Sequence, residues 1–128
     1  MGAIMIIGGR HPTVLVVEDD KGIAELIAFV LEDAGFIVYV EGGIVSALRT
    51  LDDLHPRVVI TDLMLPDGLG SDLIVQLRHR TWNSEVGSIL ISAHPQAREH
   101  AEASQADAYL SKPFNLDDLY RAVEELVS

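Results

Sequence analysis

Cysteine is absent from this chain of 128 residues. That removes disulfide frameworks, thiol nucleophiles and cysteine-based zinc sites from consideration. Basic residues are scarce: nine Lys plus Arg stand against twenty Asp plus Glu, for a formal net charge of −11. Nucleic-acid binding needs a basic face to meet phosphates, so no direct nucleic-acid contact is expected of this segment. The acidic balance suits a metal cation or a basic partner surface. No run reaches the roughly 18 apolar residues of a membrane helix. The apolar opening, residues 1–9, is too short for a signal h-region and has no basic residues ahead of it. Together these absences lead to the expectation of a soluble, cytoplasmic protein with no membrane partner. Residues 1–12 are expected to form a leader or loose N-terminal extension. A short extra strand or a self-association patch is the alternative for the first ten.

What is present suits one compact domain. Hydrophobic residues make up 48% of the chain, enough to build a core at this length without staples. Strand-like and helix-like patterns alternate throughout. Strands are expected over 13–17, 36–40, 58–61, 87–92 and 108–110. Helices are expected over 21–34, 44–54, 71–79, 95–103 and 116–127. Ser71 and Asn115 are the expected N-caps of the third and fifth helices, and Gly35 should end the first. Five strand–helix units imply an α/β fold with a parallel sheet covered by helices on both faces.

Asp62 is the most informative residue. It follows the apolar, β-branched run at 58–61 and precedes Pro66, Asp67 and Gly68, which force a turn. A carboxylate thus stands where a buried strand ends, and ligands of open α/β sheets bind outside the carboxyl ends of the strands. Other chemistry-bearing residues follow other strands: Glu18, Asp19 and Asp20 after the first, Ser92 at the end of the fourth, Lys112 after the fifth. Clustered carboxylates repel one another and imply a cation. Oxygen-only ligands suit Mg²⁺. A carboxylate, a divalent metal, an ammonium and a hydroxyl describe phosphoryl transfer to an Asp nucleophile. Each piece also has a plain structural reading: the acidic triplet as a helix cap, Asp62 as a turn initiator, Lys112 as a solvated charge. The conjunction after successive strands carries the weight.

The segments 16–20, 62–66, 92–93 and 109–114 together resemble the receiver domain of bacterial two-component response regulators, chemotaxis-regulator-like in type. The resemblance covers about residues 13–127. It implies a receiver domain over 13–128 with a flavodoxin-like, doubly wound (βα)5 fold, and a five-stranded parallel sheet in the order 2-1-3-4-5. It implies Asp62 as phosphoacceptor, with Asp19, Glu18, Asp62 and the backbone carbonyl of Met64 holding Mg²⁺ or Mn²⁺. Lys112 and Ser92 would stabilise the phosphoryl group, and Ser92 with Tyr109 would form the switch. Asp20, Pro113 and Asp67 would support the site or act as caps, with the bond before Pro113 a candidate for the cis form. A sensor histidine kinase or phosphotransfer protein would be the donor. An output domain or partner protein would read the face formed by the fourth helix, fifth strand and fifth helix, and a homodimer could use that same face. Such a domain is regulatory. It catalyses its own phosphorylation and slow self-hydrolysis and is no free-standing enzyme.

Two positions depart from the family pattern. Gln105 stands where Gly is usual, and Leu69 where many members carry Asp. His94 lies near the proposed site, whereas His11, His55, His79 and His100 show no ligand spacing. Trp82 reads as a packing residue. Three other functions fit these residues less well. An Asp-nucleophile, metal-dependent phosphatase wants a second acid at the position held by Met64. A flavodoxin-like cofactor binder would not place three acids where a phosphate must sit. A degenerate, constitutive interaction module would not keep the acid, hydroxyl and lysine together.

Overall fold

The computed structural model describes residues 12–80 and 86–128; the expectations for residues 1–10, His11 and Trp82 lie outside them. The chain runs β1 (Thr13–Val17), α1 (Lys21–Asp33), β2 (Ile37–Glu41), α2 (Ile44–Leu54), β3 (Val58–Asp62), α3 (Gly70–Arg78), β4 (Gly87–Ser92), α4 (Ala97–Ser104), β5 (Ala108–Ser111) and α5 (Leu116–Val127). The five strands form one parallel sheet in the order β2-β1-β3-β4-β5. That is the flavodoxin-like order expected. Among the described residues no helix is long and apolar enough to cross a membrane.

Strand periodicity sends alternate side chains to opposite faces. Val14, Val16, Val58, Ile60, Ile89 and Ile91 pack with Ile27 and Leu31 of α1 and Leu119 and Val123 of α5. Leu15, Val17 and Val59 pack with α2 and α3 on the other face. Leu90 meets Leu63, Ile74 and, from α4, Ala97 and Ala101. Strands covered on both faces read as continuous apolar runs, which is why β1, β3 and β4 stood out in the sequence.

The boundaries differ where backbone capping decides. α1 ends at Asp33, because Gly35 N–H donates to Glu32 O at 3.0 Å and Phe36 N–H to Leu31 O at 3.0 Å. These are the two bonds of a Schellman cap, with Gly35 at φ 101°. Phe36 is therefore spent on the cap and β2 begins at Ile37. α4 closes in the same way, with Gln105 N–H to Glu102 O at 3.2 Å and Ala106 N–H to Ala101 O at 2.9 Å. Here Gln105 takes φ 62°, a region that favours glycine. α4 also starts two residues later than expected, because Ala97 N–H closes a turn onto His94 O at 3.1 Å.

Ser71 does not cap α3. The helix begins at Gly70 with Leu69 as N-cap and no side-chain cap bond, and Ser71 is buried in the first turn. The reason is a two-residue hairpin that the sequence patterns did not signal, pairing Met64–Leu65 with Gly68–Leu69. Its backbone brings Gly70 N–H to Leu63 O at 2.7 Å, so backbone serves the helix start.

Candidate functional site

The parallel sheet aligns the C-terminal ends of β1, β3, β4 and β5. Glu18 continues the β1–β2 ladder through its N–H to Glu41 O at 2.9 Å, and Lys112 continues β5 through its N–H to Ser92 O at 2.9 Å. Asp62 stands opposite Ile91 in the β3–β4 register. Residues far apart in sequence thus meet on one rim. Lys112 Nζ donates to Glu18 Oε1 at 2.9 Å and to Asp62 Oδ2 at 2.9 Å. Glu18 and Asp62 are buried, Lys112 is half-buried, and Asp19 is exposed at the mouth. Carboxylate oxygens of Glu18, Asp19 and Asp62 lie within 4.8 Å of one another, close enough to share a cation.

One ammonium faces three carboxylates, so the rim carries excess negative charge. Burial pushes Glu18 above the ordinary carboxylate range. The Lys112 hydrogen bond and the Asp20 N–H only partly offset this, and the Asp62 charge adds to it. Burial pulls Lys112 down, but its hydrogen bonds to Glu18 and Asp62 prevail and hold it above its usual value. A buried ion pair of this kind is costly to open from one side, because the remaining charge is left in a poor medium.

The donor set fits a hard divalent cation: oxygens only, two buried carboxylates and one facing solvent. Asp62 Oδ1 also accepts the Met64 N–H at 3.3 Å, which draws the Met64 backbone against the rim while its side chain stays exposed. Ser92 is buried, and its Oγ accepts the His94 N–H at 2.9 Å. Tyr109 is half-buried beside Leu90, its register partner, and packs on the Leu63, Ile74, Ala97 and Ala101 cluster. The Lys112–Pro113 peptide bond is cis.

Asp20 and Asp67 act as caps. Asp20 is the N-cap of α1, accepting the Ile23 N–H at 3.1 Å. Asp67 accepts the Ile44 and Val45 N–H groups at 2.7 and 3.0 Å, capping α2 from the loop after the hairpin's first strand. Those two bonds hold its carboxyl below the ordinary Asp range. His94 uses Nδ1 to accept the Gln96 N–H at 3.1 Å and meets the His100 ring edge-on at 6.4 Å; it is not part of the acidic cluster. His55 and His79 are the C-caps of α2 and α3.

Sequence reasoning missed two supports of Asp62. Thr61 Oγ1 donates to the Asp62 carbonyl at 2.9 Å. Gly70 packs so closely that a Cβ there would collide with the Asp62 carbonyl oxygen and lie 2.6 Å from Thr61 Oγ1. The available signal was a second glycine two residues after Gly68, just before a helix.

The sequence profile described as "Response regulator receiver domain" matches residues 14–124. The chain is 28% identical over 116 residues to the phosphate regulon transcriptional regulatory protein PhoB of Escherichia coli, covering 89% of this chain and 51% of that protein. It is 32% identical over 114 residues to a 14.6 kDa protein of Leptolyngbya boryana, covering 88% and 87%. The chain thus spans about half the length of the transcriptional regulators it matches, such as PhoB. Among solved structures it is similar to a putative response regulator from Chloroflexus aurantiacus, with TM-score 0.85, 26% identity and coverage of 91% and 97%. The receiver domain of the Francisella response regulator 1452 aligns with TM-score 0.81, 32% identity and coverage of 91% and 97%.

Proposed function

The chain belongs to the response regulator receiver domain family, and from that premise we propose that it is a switch phosphorylated on Asp62 by a sensor histidine kinase or phosphotransfer protein. The observation that carries this reading is Lys112 held between Glu18 and Asp62 beside Asp19. In the transfer an Asp62 carboxylate oxygen attacks the phosphorus of a phosphohistidine. The new O–P bond forms as the P–N bond breaks, and the imidazole leaves with the electron pair. Lys112 already touches Asp62 and is placed to meet charge on the arriving phosphoryl oxygens. Ser92 spends a lone pair on the His94 N–H, so its own O–H is free to donate to that group. Glu18, Asp19, Asp62 and the Met64 carbonyl would hold Mg²⁺ or Mn²⁺. When bound, the ion would neutralise charge on the carboxylates and the phosphoryl group.

The output is a change of surface. The aspartyl phosphate adds strong acceptor oxygens beside Ser92. Drawing the hydroxyl toward them vacates space that the Tyr109 ring can fill. The face formed by α4, β5 and α5 then presents a different shape to an output domain, a partner protein or a second copy. Slow self-hydrolysis would reset it.

Acetyl phosphate with Mg²⁺ should give a single phosphate adduct by intact mass. Asp62→Asn and EDTA treatment should each abolish it. Equal labelling of the Asn variant, or labelling that survives EDTA, would move the acceptor elsewhere.

A further inference from the structure

Arg98 and Tyr109 make a contact that phosphoryl transfer does not use. Arg98 lies exposed on α4 and Tyr109 half-buried on β5. The guanidinium carbon sits 5.3 Å from the centroid of the ring, inside the range where a cation is attracted to an aromatic face. The neighbouring Ala97 is fully buried in the cluster against which Tyr109 packs, so the helix beneath Arg98 is anchored. Beside the ring is a surface hollow of about 350 Å³ lined by Arg98, Tyr109, Leu110, Pro113, Phe114 and Asp118, among others. The ring therefore has room on its solvent side and a positive charge over its face.

We propose that Arg98 is a positioning residue that holds Tyr109 in its surface conformation and so sets how readily the domain enters the phosphorylated form. This rests on the reading of Ser92 and Tyr109 as a coupled pair. The contact exists only while the ring lies beneath the guanidinium, and turning the ring inward breaks it. An interaction made in only one of two states biases the equilibrium by its own strength. For an exposed cation–π pair that is about a two- to five-fold change in the equilibrium constant. Arg98 thus opposes activation, and its removal favours the inward state. Asp118 lines the same hollow and feels the same charge, so the test must separate ring from charge.

Four variants of the 128-residue chain make that separation: Arg98→Met, Arg98→Lys, Tyr109→Leu, and Arg98→Met combined with Tyr109→Leu. In the resting protein, NMR signals of the Tyr109 ring should move in Arg98→Met and move less in Arg98→Lys. Titration with beryllofluoride and Mg²⁺ should show Arg98→Met binding about two- to five-fold tighter than wild type, with Arg98→Lys in between. In the Tyr109→Leu background, Arg98→Met should change nothing, because the ring that transmits its effect is gone. Unmoved ring signals, equal or weaker affinity in Arg98→Met, or an Arg98 effect undiminished by Tyr109→Leu would each overturn the positioning role alone. Failure of every form, wild type included, to bind beryllofluoride would overturn the phosphoacceptor reading and this role with it.

Discussion

At the scale of single residues, Glu18 shows what the rim costs in stability. It is buried next to a second buried carboxylate and shares one ammonium with it. Its folded-state pKa is raised above the ordinary 4.5, first by burial. A raised value means that the folded state holds the proton more tightly than the unfolded chain does. The associated stability is full below pH 4.5 and is lost as pH rises through the folded-state value. Glu18→Gln keeps an acceptor for Lys112 but removes the titration. In EDTA, the variant should gain on wild type as pH rises from about 4.5 toward neutrality, and Mg²⁺ should close the gap. Urea unfolding of both proteins across that range measures it. Parallel pH profiles would show that Glu18 carries no such cost.

At the scale of elements, α1 and α4 end in the same pair of backbone bonds with different residues in the left-handed position. Gly35 is free to adopt it, whereas Gln105 carries a Cβ into it. A non-glycine residue there costs about 1 kcal/mol or slightly more. The site is not free to relax, because the Gln105 carbonyl accepts Arg78 Nη2 at 2.6 Å, fastening the end of α4 to the end of α3. Gln105→Gly keeps that carbonyl and removes the Cβ. The glycine entropy added to the unfolded chain, about 0.5–1 kcal/mol, offsets most of that relief, so the variant should gain at most about 0.5 kcal/mol, read as a small rise in the urea midpoint. The opposite case is Gly70 at the start of α3, where the space is closed. Gly70→Ala should cost about 3 kcal/mol and displace the Asp62 backbone, visible as a lower Tm and weaker Mg²⁺ binding. A variant as stable as wild type would mean that the hairpin yields easily.

At the scale of the whole molecule, the function proposed requires the signal to cross from the rim to the α4, β5 and α5 surface. Ser92 is the last residue of β4, and β4 pairs directly with β5, where Tyr109 sits opposite Leu90. A coupling of about 1–3 kcal/mol between phosphorylation and surface shape would be typical. Ser92→Ala leaves Asp62, Lys112 and the acids in place, so it should still accept phosphate. It lacks the hydroxyl that the phosphoryl group would draw in, so the message should weaken. Beryllofluoride with Mg²⁺ should shift NMR signals around Tyr109 in wild type and shift them less in Ser92→Ala. Identical responses would break this route while leaving the phosphorylation chemistry standing.

Periodicity and chain order make the architecture legible in the sequence. The segments 13–17, 58–61 and 87–92 read as strands and are strands, and α2, α5 and the Asn115 cap lie where the sequence placed them. The positions of Asp62, Ser92 and Lys112 at strand ends follow from the same local patterns. The tertiary structure alone decided which residues meet. Lys112 reaches Glu18 across 94 positions and Asp62 across 50, distances that only the β1-β3-β4-β5 adjacency can close. It also sorted the acids. The family resemblance left Asp20 and Asp67 as supports or caps; helix N-termini with open N–H groups claim both as caps, and Asp19 stays at the rim. Ser71 lost its expected role, and Gly70 gained one, for a related reason. A two-residue hairpin set the backbone of 62–70 by contacts that no periodic pattern records. Local sequence encodes which face of an element is apolar; which polar group another element will claim is set when the elements pack.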